Sequence, residues 1–179
     1  MVNIILCGDV KDTSVSQALI SALSTYGGVI YSGPERIFQC GTTPQYLLYE
    51  YQTLPQIGLE KGVVLFKNSM LPQKPVSFPS NFLYVLETKN VRAAALLKDS
   101  GVTVVTCGTS SKETLSIAGL EEDTAVLSLQ RTLKTLEGKM VEPHDFTVKF
   151  SGSRSPHQLL SVCAVLLIAG EDSLKGYQI

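Results

Sequence analysis

The chain predicts a three-layer α/β domain with a mostly parallel sheet and an antiparallel hairpin added near its end. Two patterns carry this expectation. From residue 2 to residue 108, short apolar runs alternate with helical patterns, as in sheets built from right-handed crossovers. From residue 123 to residue 150, strand-like runs follow one another without a helix between them, as antiparallel strands do. The 179 residues and 44% hydrophobic content suffice for one domain, residues 1–179, with a full core.

Val2-Asn3-Ile4-Ile5-Leu6-Cys7 reads as the first strand and Gly8 ends it. Thr13 or Ser14 then caps a helix to about Tyr26, with Val15, Ala18, Leu19, Ala22 and Leu23 at helical spacing. Gly27-Gly28 stops it, and Val29-Ile30-Tyr31 is a short strand before a Ser-Gly-Pro turn. Residues 46–51 and 62–66 are apolar runs of the kind buried on both faces, as central parallel strands are. Residues 68–80 hold three prolines and read as a loop. Residues 82–86 form a strand, a helix begins at Asn90 and ends at Gly101, and residues 102–106 form the next strand, closed by Cys107-Gly108. The runs 124–133 and 146–150, with a Leu-Glu-Gly-Lys turn between them, form the hairpin. A last helix spans about Pro156 to Ala169, with Pro156 suited to its first turn and Gly170 to its end.

Composition narrows the function classes. Fifteen basic and 16 acidic residues give a net charge of −1, with no basic stripe for nucleic acid. The longest apolar run, Leu159 to Ala169, is too short to span a bilayer. The chain starts on a strand with no basic, cleavable leader, so the cytoplasm is the expected location. Cys7, Cys40, Cys107 and Cys163 are widely spaced and unpaired with histidine, which reads as buried free thiols and not as a metal site.

The stretch from Gly8 to Ser14 carries the main functional signal. Strand, tight turn and helix start follow one another there, the layout that offers backbone N–H groups to an anion. In a working phosphate loop, a Lys precedes the Ser/Thr. Here Asp12 holds that position, Asp9 is also in the loop, and Lys11 is one residue early. Asp9 and Asp12 either cap the turn and helix start or hold a cation. Thr13 and Ser14 either cap or hold a small anion.

Several features in order resemble the central, ATP-binding domain of the Mur ligase family, which includes the folylpolyglutamate synthetases. That family has a G-T-x-G-K-T/S-T loop, aligned here with Gly8-Asp9-Val10-Lys11-Asp12-Thr13-Ser14. Its next strand ends in a magnesium-holding Glu, matched by Glu50, and a later one in Thr-Asn, matched in part by Lys67-Asn68. Its closing hairpin and His-Asn-led, Ala-rich helix resemble residues 123–150 and the segment from His157-Gln158 to Gly170. The departures are equally specific. The phosphate Lys is Asp12, the Asp-His after Asn68 is replaced by Ser69-Met70, and the family's Asn-x-Asp-Asp is Glu87-Thr88-Lys89-Asn90. The flanking substrate domains have no counterpart.

The resemblance implies a P-loop-type scaffold without ligase chemistry. The expected role is non-catalytic binding of a partner, either a second copy of the chain or a separately encoded protein, or of a small anionic ligand in a decayed nucleotide cleft. No cofactor and no catalytic residue is assigned. The candidate ligand-binding residues are Gly8, Asp9, Lys11, Asp12, Thr13, Ser14, Glu50, Lys67, Asn68 and His157. His157 is expected to bond a loop carbonyl, and Glu50 is either a retained metal ligand or a solvated rim residue. The alternative reading is a nucleotide-binding protein or ATP-dependent enzyme with a phosphate site rebuilt from Lys11, Glu50 and Lys67.

Overall fold

The computed structural model describes residues 1–74 and 76–179; Pro75, in the expected 68–80 loop, lies outside the described residues. The chain runs β1 (Val2–Cys7), α1 (Ser14–Thr25), β2 (Val29–Ser32), β3 (Ile37–Cys40), β4 (Tyr46–Tyr51), β5 (Gly62–Phe66) and β6 (Phe82–Glu87). It continues with α2 (Val91–Leu97), β7 (Thr103–Gly108), β8 (Leu115–Leu120), β9 (Thr124–Leu129), β10 (Leu133–Lys134), β11 (Met140–Val141) and β12 (His144–Lys149). The last elements are α3 (Pro156–Ala169), a 3-10 turn (Ser173–Lys175) and β13 (Tyr177–Gln178).

One sheet holds eleven strands in the order β13-β12-β9-β8-β7-β6-β5-β1-β4-β2-β3, and β10 and β11 form a separate two-stranded hairpin. From β2 to β8 neighbouring strands are parallel. β9 runs antiparallel to β8 and to β12, which is the expected antiparallel addition. The chain moves from β1 outward to β2 and β3, returns to β4 beside β1, then crosses to β5 on the other flank of β1. That reversal is a topological switch point, and it opens a crevice at the C-terminal ends of β4, β1 and β5.

The two faces of the sheet are covered unequally. On one, α1 and α3 pack over Ile4, Leu6, Leu48, Val63, Leu65, Val85 and Val105. On the other, α2 shares the cover with loop residues Leu54 and Met70 over Ile5, Val64, Phe66, Tyr84 and Leu86. β5 is buried throughout, as expected, but β4 alternates buried and half-buried residues up to an exposed Tyr51. Among the described residues, no helix crosses β4 on the second face, so that face stays partly open.

Four strands, β3, β8, β11 and β13, go beyond the sequence expectation, and the expected run 124–133 divides into β9 and β10. β3 is an edge strand antiparallel to β2. β8 carries an irregularity between Ile117 and Gly119 that breaks its alternation. β13 extends the far edge by pairing with β12. Among the described residues, no helix is long and apolar enough to cross a membrane.

Candidate functional site

Strand parity builds the centre of the crevice. In register, Leu6 of β1 lies between Glu50 of β4 and Leu65 of β5. Side chains two apart share a face, so Lys67 follows Leu65 onto the α1/α3 face and meets Glu50 across β1. Tyr31, level with Leu48 on β2, points to the same face. All three side chains are buried.

Lys67 points back into the loop after β1. Its Nζ donates to the Asp9 carbonyl at 2.9 Å, to the Asp12 carbonyl at 2.6 Å and to Glu50 Oε1. Three acceptors match the three N–H donors of an ammonium. The other Glu50 oxygen, Oε2, accepts from the Tyr31 hydroxyl. Burial, then the hydrogen bond to Glu50 and its charge, push the Tyr31 hydroxyl up, so it stays a donor. The Lys67 backbone is held too, because its carbonyl accepts from Asn90 Nδ2 at 2.8 Å and from the Met70 N–H at 3.1 Å.

Gly8 makes room for this side chain. Its φ is +151°, and a Cβ there would lie 2.7 Å from Lys67 Cβ. The loop itself is engaged with its own groups. The Lys11 N–H donates to Asp9 Oδ1 at 3.0 Å and the Ser14 N–H to Asp12 Oδ1 at 3.2 Å. Asp12 Oδ1 also accepts from Ser14 Oγ at 2.6 Å, and Asp12 Oδ2 from Ser69 Oγ at 2.7 Å. Burial works to raise the Asp12 carboxyl, but these bonds and the Lys67 charge outweigh it and leave it below its ordinary value. The carboxylate thus sits at the start of α1, where the helix dipole favours a negative charge. Thr13 is the N-cap residue but makes no side-chain cap bond. Lys11 and Thr13 are exposed.

A second group gathers around Glu87 at the end of β6. His157 Nδ1 donates to Glu87 Oε2 at 2.9 Å, Asn68 Nδ2 to the same oxygen at 2.6 Å, and Lys89 Nζ pairs with Oε1 at 2.8 Å. His157 therefore bonds a carboxylate and not the loop carbonyl that its helix-start position led us to expect. Burial lowers its proton affinity, and the opposing pull of Glu87 does not restore it. Gln158 ties this group to the loop, its Nε2 donating to the Ser14 carbonyl at 3.0 Å.

The ten sequence-predicted site residues fall around this crevice in two groups. Gly8, Asp9, Asp12, Ser14, Glu50 and Lys67 form one, with Lys11 and Thr13 on its exposed rim. Asn68 and His157 belong to the other. Glu50 is not a solvated rim residue: it is 2% exposed. The residues that sequence reasoning missed as partners are Tyr31, Ser69, Glu87 and Lys89. Parity along β2 and β6 was a usable signal for Tyr31 and Glu87. The thiols also divide: burial pushes Cys7 up to about 12, but Cys40, on the β3 edge, is only half-buried.

Comparison with solved structures places this geometry. The chain superposes on murein peptide ligase Mpl from Psychrobacter arcticus 273-4 with a TM-score of 0.62 and 11% identity, covering 97% of this chain and 45% of that one. It superposes on a UDP-N-acetylmuramoyl-L-alanyl-D-glutamate–2,6-diaminopimelate ligase with a TM-score of 0.57 and 12% identity, over 94% of this chain and 43% of that one. The fold is Mur-ligase-like. MurF from Acinetobacter baumannii agrees, with a TM-score of 0.52, 12% identity and coverage of 95% and 43%. The chain spans less than half the length of these ligases. No family model matches it, and no curated protein matches it by sequence.

The family resemblance read in the sequence implies a magnesium nucleotide at this crevice, and the residues present do not fit one. Both Glu50 oxygens accept from protein donors, Lys67 and Tyr31. At the helix start, Asp12 supplies a carboxylate where a phosphate would need to sit. Among the described residues, no group of three or more His, Cys, Asp or Glu is placed to hold a metal ion.

Proposed function

We propose that this chain is a non-catalytic, Mur-ligase-like domain that acts by binding a partner, with its ancestral nucleotide cleft closed by its own side chains. The observation that carries the reading is the engagement of both charged positions of the crevice. The Lys67 ammonium lies against Glu50, and the Asp12 carboxylate lies at the start of α1. A triphosphate approaching this loop meets Asp9 and Asp12. At an effective dielectric of about 20, one unit charge some 4 Å away changes the interaction by roughly 4 kcal/mol before screening, so the reversal of sign at Asp12 outweighs one or two loop hydrogen bonds.

The rebuilt-site reading needs Lys67 or Lys11 to face a phosphate. Lys67 has no donor left to offer, and Lys11 is exposed at the rim. Isothermal calorimetry and a thermal-shift series with ATP, ADP and magnesium test the proposal. We expect no saturable heat and no rise in melting temperature. Magnesium-ATP binding in the low-micromolar range, or ATP hydrolysis well above background, would overturn it.

A further inference from the structure

We infer that Ser173 is an activated nucleophile with His144 as its general base, and that the cavity beside the pair takes small, uncharged carboxylic esters. The pair lies at the far end of α3 from the crevice. α3 spans 14 residues, or about 21 Å at the usual helical rise. His157 and Gln158 stand in its first turn beside the crevice, and Gly170 at its other end lines the cavity. The proposed absence of catalysis concerns the nucleotide crevice, and this inference does not rest on it.

β12 places both residues. His144 opens that strand, level with Leu129 of β9. Ser173 opens the 3-10 turn that brings the chain back to β12, where β13 pairs with it. Two local features set the turn. Asp172 Oδ1 accepts from the Leu174 N–H at 3.1 Å. Gly176, at φ +74°, passes so close to β12 that a Cβ there would lie 2.6 Å from the Thr147 carbonyl oxygen. Ser173 is thereby held against the His144 ring, with Oγ 2.8 Å from Nε2. The other ring nitrogen, Nδ1, lies 2.7 Å from the Glu142 carbonyl oxygen. A carbonyl only accepts, so Nδ1 carries the proton of the neutral ring and Nε2 is left as the acceptor. The Ser173 hydroxyl therefore donates to Nε2. Nucleophile, base and orienting group stand in the order that activates a serine.

In a full triad an acid holds the imidazole, and replacing it by an amide that imposes the wrong tautomer costs about 10⁴ in rate. The Glu142 carbonyl imposes the right tautomer without a full negative charge, so the pair is a base of lower power. Both residues line a cavity of about 250 Å³ with Met140, Val141, Pro143 and Leu174. That is a little below the ~300–1,000 Å³ of sites for drug-sized ligands, and its apolar wall suits a short acyl chain. Ser173, 4% exposed, is reached through this cavity and not from the open surface. Glu142, Glu171 and Asp172 outnumber Lys139 on the lining, which disfavours a substrate carboxylate. In the reaction, Ser173 Oγ bonds the ester carbonyl carbon as its proton passes to Nε2. The bond from that carbon to the alcohol oxygen breaks, and the leaving oxygen takes the proton from His144. Water then loses a proton to Nε2 as its oxygen bonds the acyl carbon, and the Ser173–acyl bond breaks with return of the proton to Oγ. The products are an alcohol and a carboxylic acid, with water as the co-reactant.

A fluorophosphonate probe, which phosphonylates activated serines with loss of fluoride, tests the pair directly. In the parent protein, peptide mass spectrometry should find the adduct on Ser173 and not on the exposed Ser110 or Ser153. The adduct should not form in urea, and Ser173→Ala should abolish it. His144→Gln keeps a polar partner for Ser173 but takes up no proton. It should slow labelling by about a hundredfold or more, the low end of general-base effects. p-Nitrophenyl acetate should give a burst of p-nitrophenol from the parent, and prior incubation with it should delay labelling. If the hydrogen bond only ties the 3-10 turn to β12, Ser173 of the parent reacts no faster than Ser110, and that result overturns the inference. Equal labelling rates in the parent and a folded His144→Gln overturn it too. Should His144→Gln fail to fold, the parent decides: Ser173 labelled in the folded chain and not in urea supports the inference, and any other pattern overturns it. The assays contain no nucleotide, so their failure leaves the reading of the crevice standing, and ATP binding by the parent would leave this inference standing.

Discussion

His157 and Glu50 show how burial changes the meaning of a polar residue. The sequence offered Glu50 as a metal ligand or solvated rim residue and His157 as a histidine bonded to a loop carbonyl, and each is instead paired with one charged side chain. For His157 this sets a pH dependence. Burial, the largest effect, lowers its folded pKa below the usual 6.5, while Glu87 pulls the other way. The unfolded chain then binds the proton more readily, so protonation favours unfolding. Stability should fall as pH drops below about 6.5 and level off once the folded pKa is passed. We expect His157→Gln to flatten the change in melting temperature between about pH 7 and 5 relative to the parent. Equal slopes in the two proteins would show that His157 is not the group responsible. Asp12 acts at lower pH and with the same proton preference, the unfolded chain again binding the proton more readily. Its depressed carboxyl stabilises the fold above the unfolded value near 3.9, and that contribution is lost as pH falls through the folded one.

α3 is the element on which the crevice rests, and its ends were written locally. Ser155 accepts from the Gln158 N–H at 3.2 Å, while Gln158 Oε1 accepts from the Ser155 N–H at 2.8 Å, a reciprocal capping box. Pro156 follows in the first turn, and Gly170 closes the helix in the left-handed conformation at φ 92°. Between these ends Leu159 to Ile168 are buried all round, with α1 on one side and the sheet on the other, so the run has no amphipathic period. Ser155→Ala should cost about 1 kcal/mol, or roughly 2–4 °C in melting temperature for a chain of this size. Because Gln158 also reaches the Ser14 carbonyl, Gln158→Ala should cost at least as much. Melting curves with both variants unchanged would mean that the cap is not holding α3. The elements that escaped the sequence reading share a cause. β3 is an edge strand after a Gly-Pro turn, with Ile37 exposed, and β8 carries Gly119 and a bulge. Neither has the clean alternation or apolar run that marks a strand.

At the scale of the whole molecule, the sheet has one face sealed by α1 and α3 and one sealed only in part. Tyr51 and Leu59, at 42% and 38% exposure, stand on the thinner side, where Ile5, Tyr49, Pro55 and Ile57 line a groove of about 200 Å³. If the proposed partner contact falls on this surface, we expect light scattering at micromolar concentration to give a dimer mass, or a pull-down to find a separate partner. A clean monomer with no partner captured would count against the binding role. The alternation of central strands and helices, the antiparallel end of the sheet and the Pro156 and Gly170 ends of α3 were readable along the chain, because apolar period and turn residues act within a few residues of one another. The closed crevice was not readable in that way. Glu50, Lys67 and the Asp12 loop were all visible as candidates, and a phosphate loop missing its lysine looked like an open site. Only the strand order β4-β1-β5 brings Glu50 and Lys67 onto one face across β1, and only then does the ammonium meet the loop carbonyls. Parity tells which face a side chain takes; which strands become neighbours is settled by burial of the whole sheet, and that depends on residues far apart in the chain.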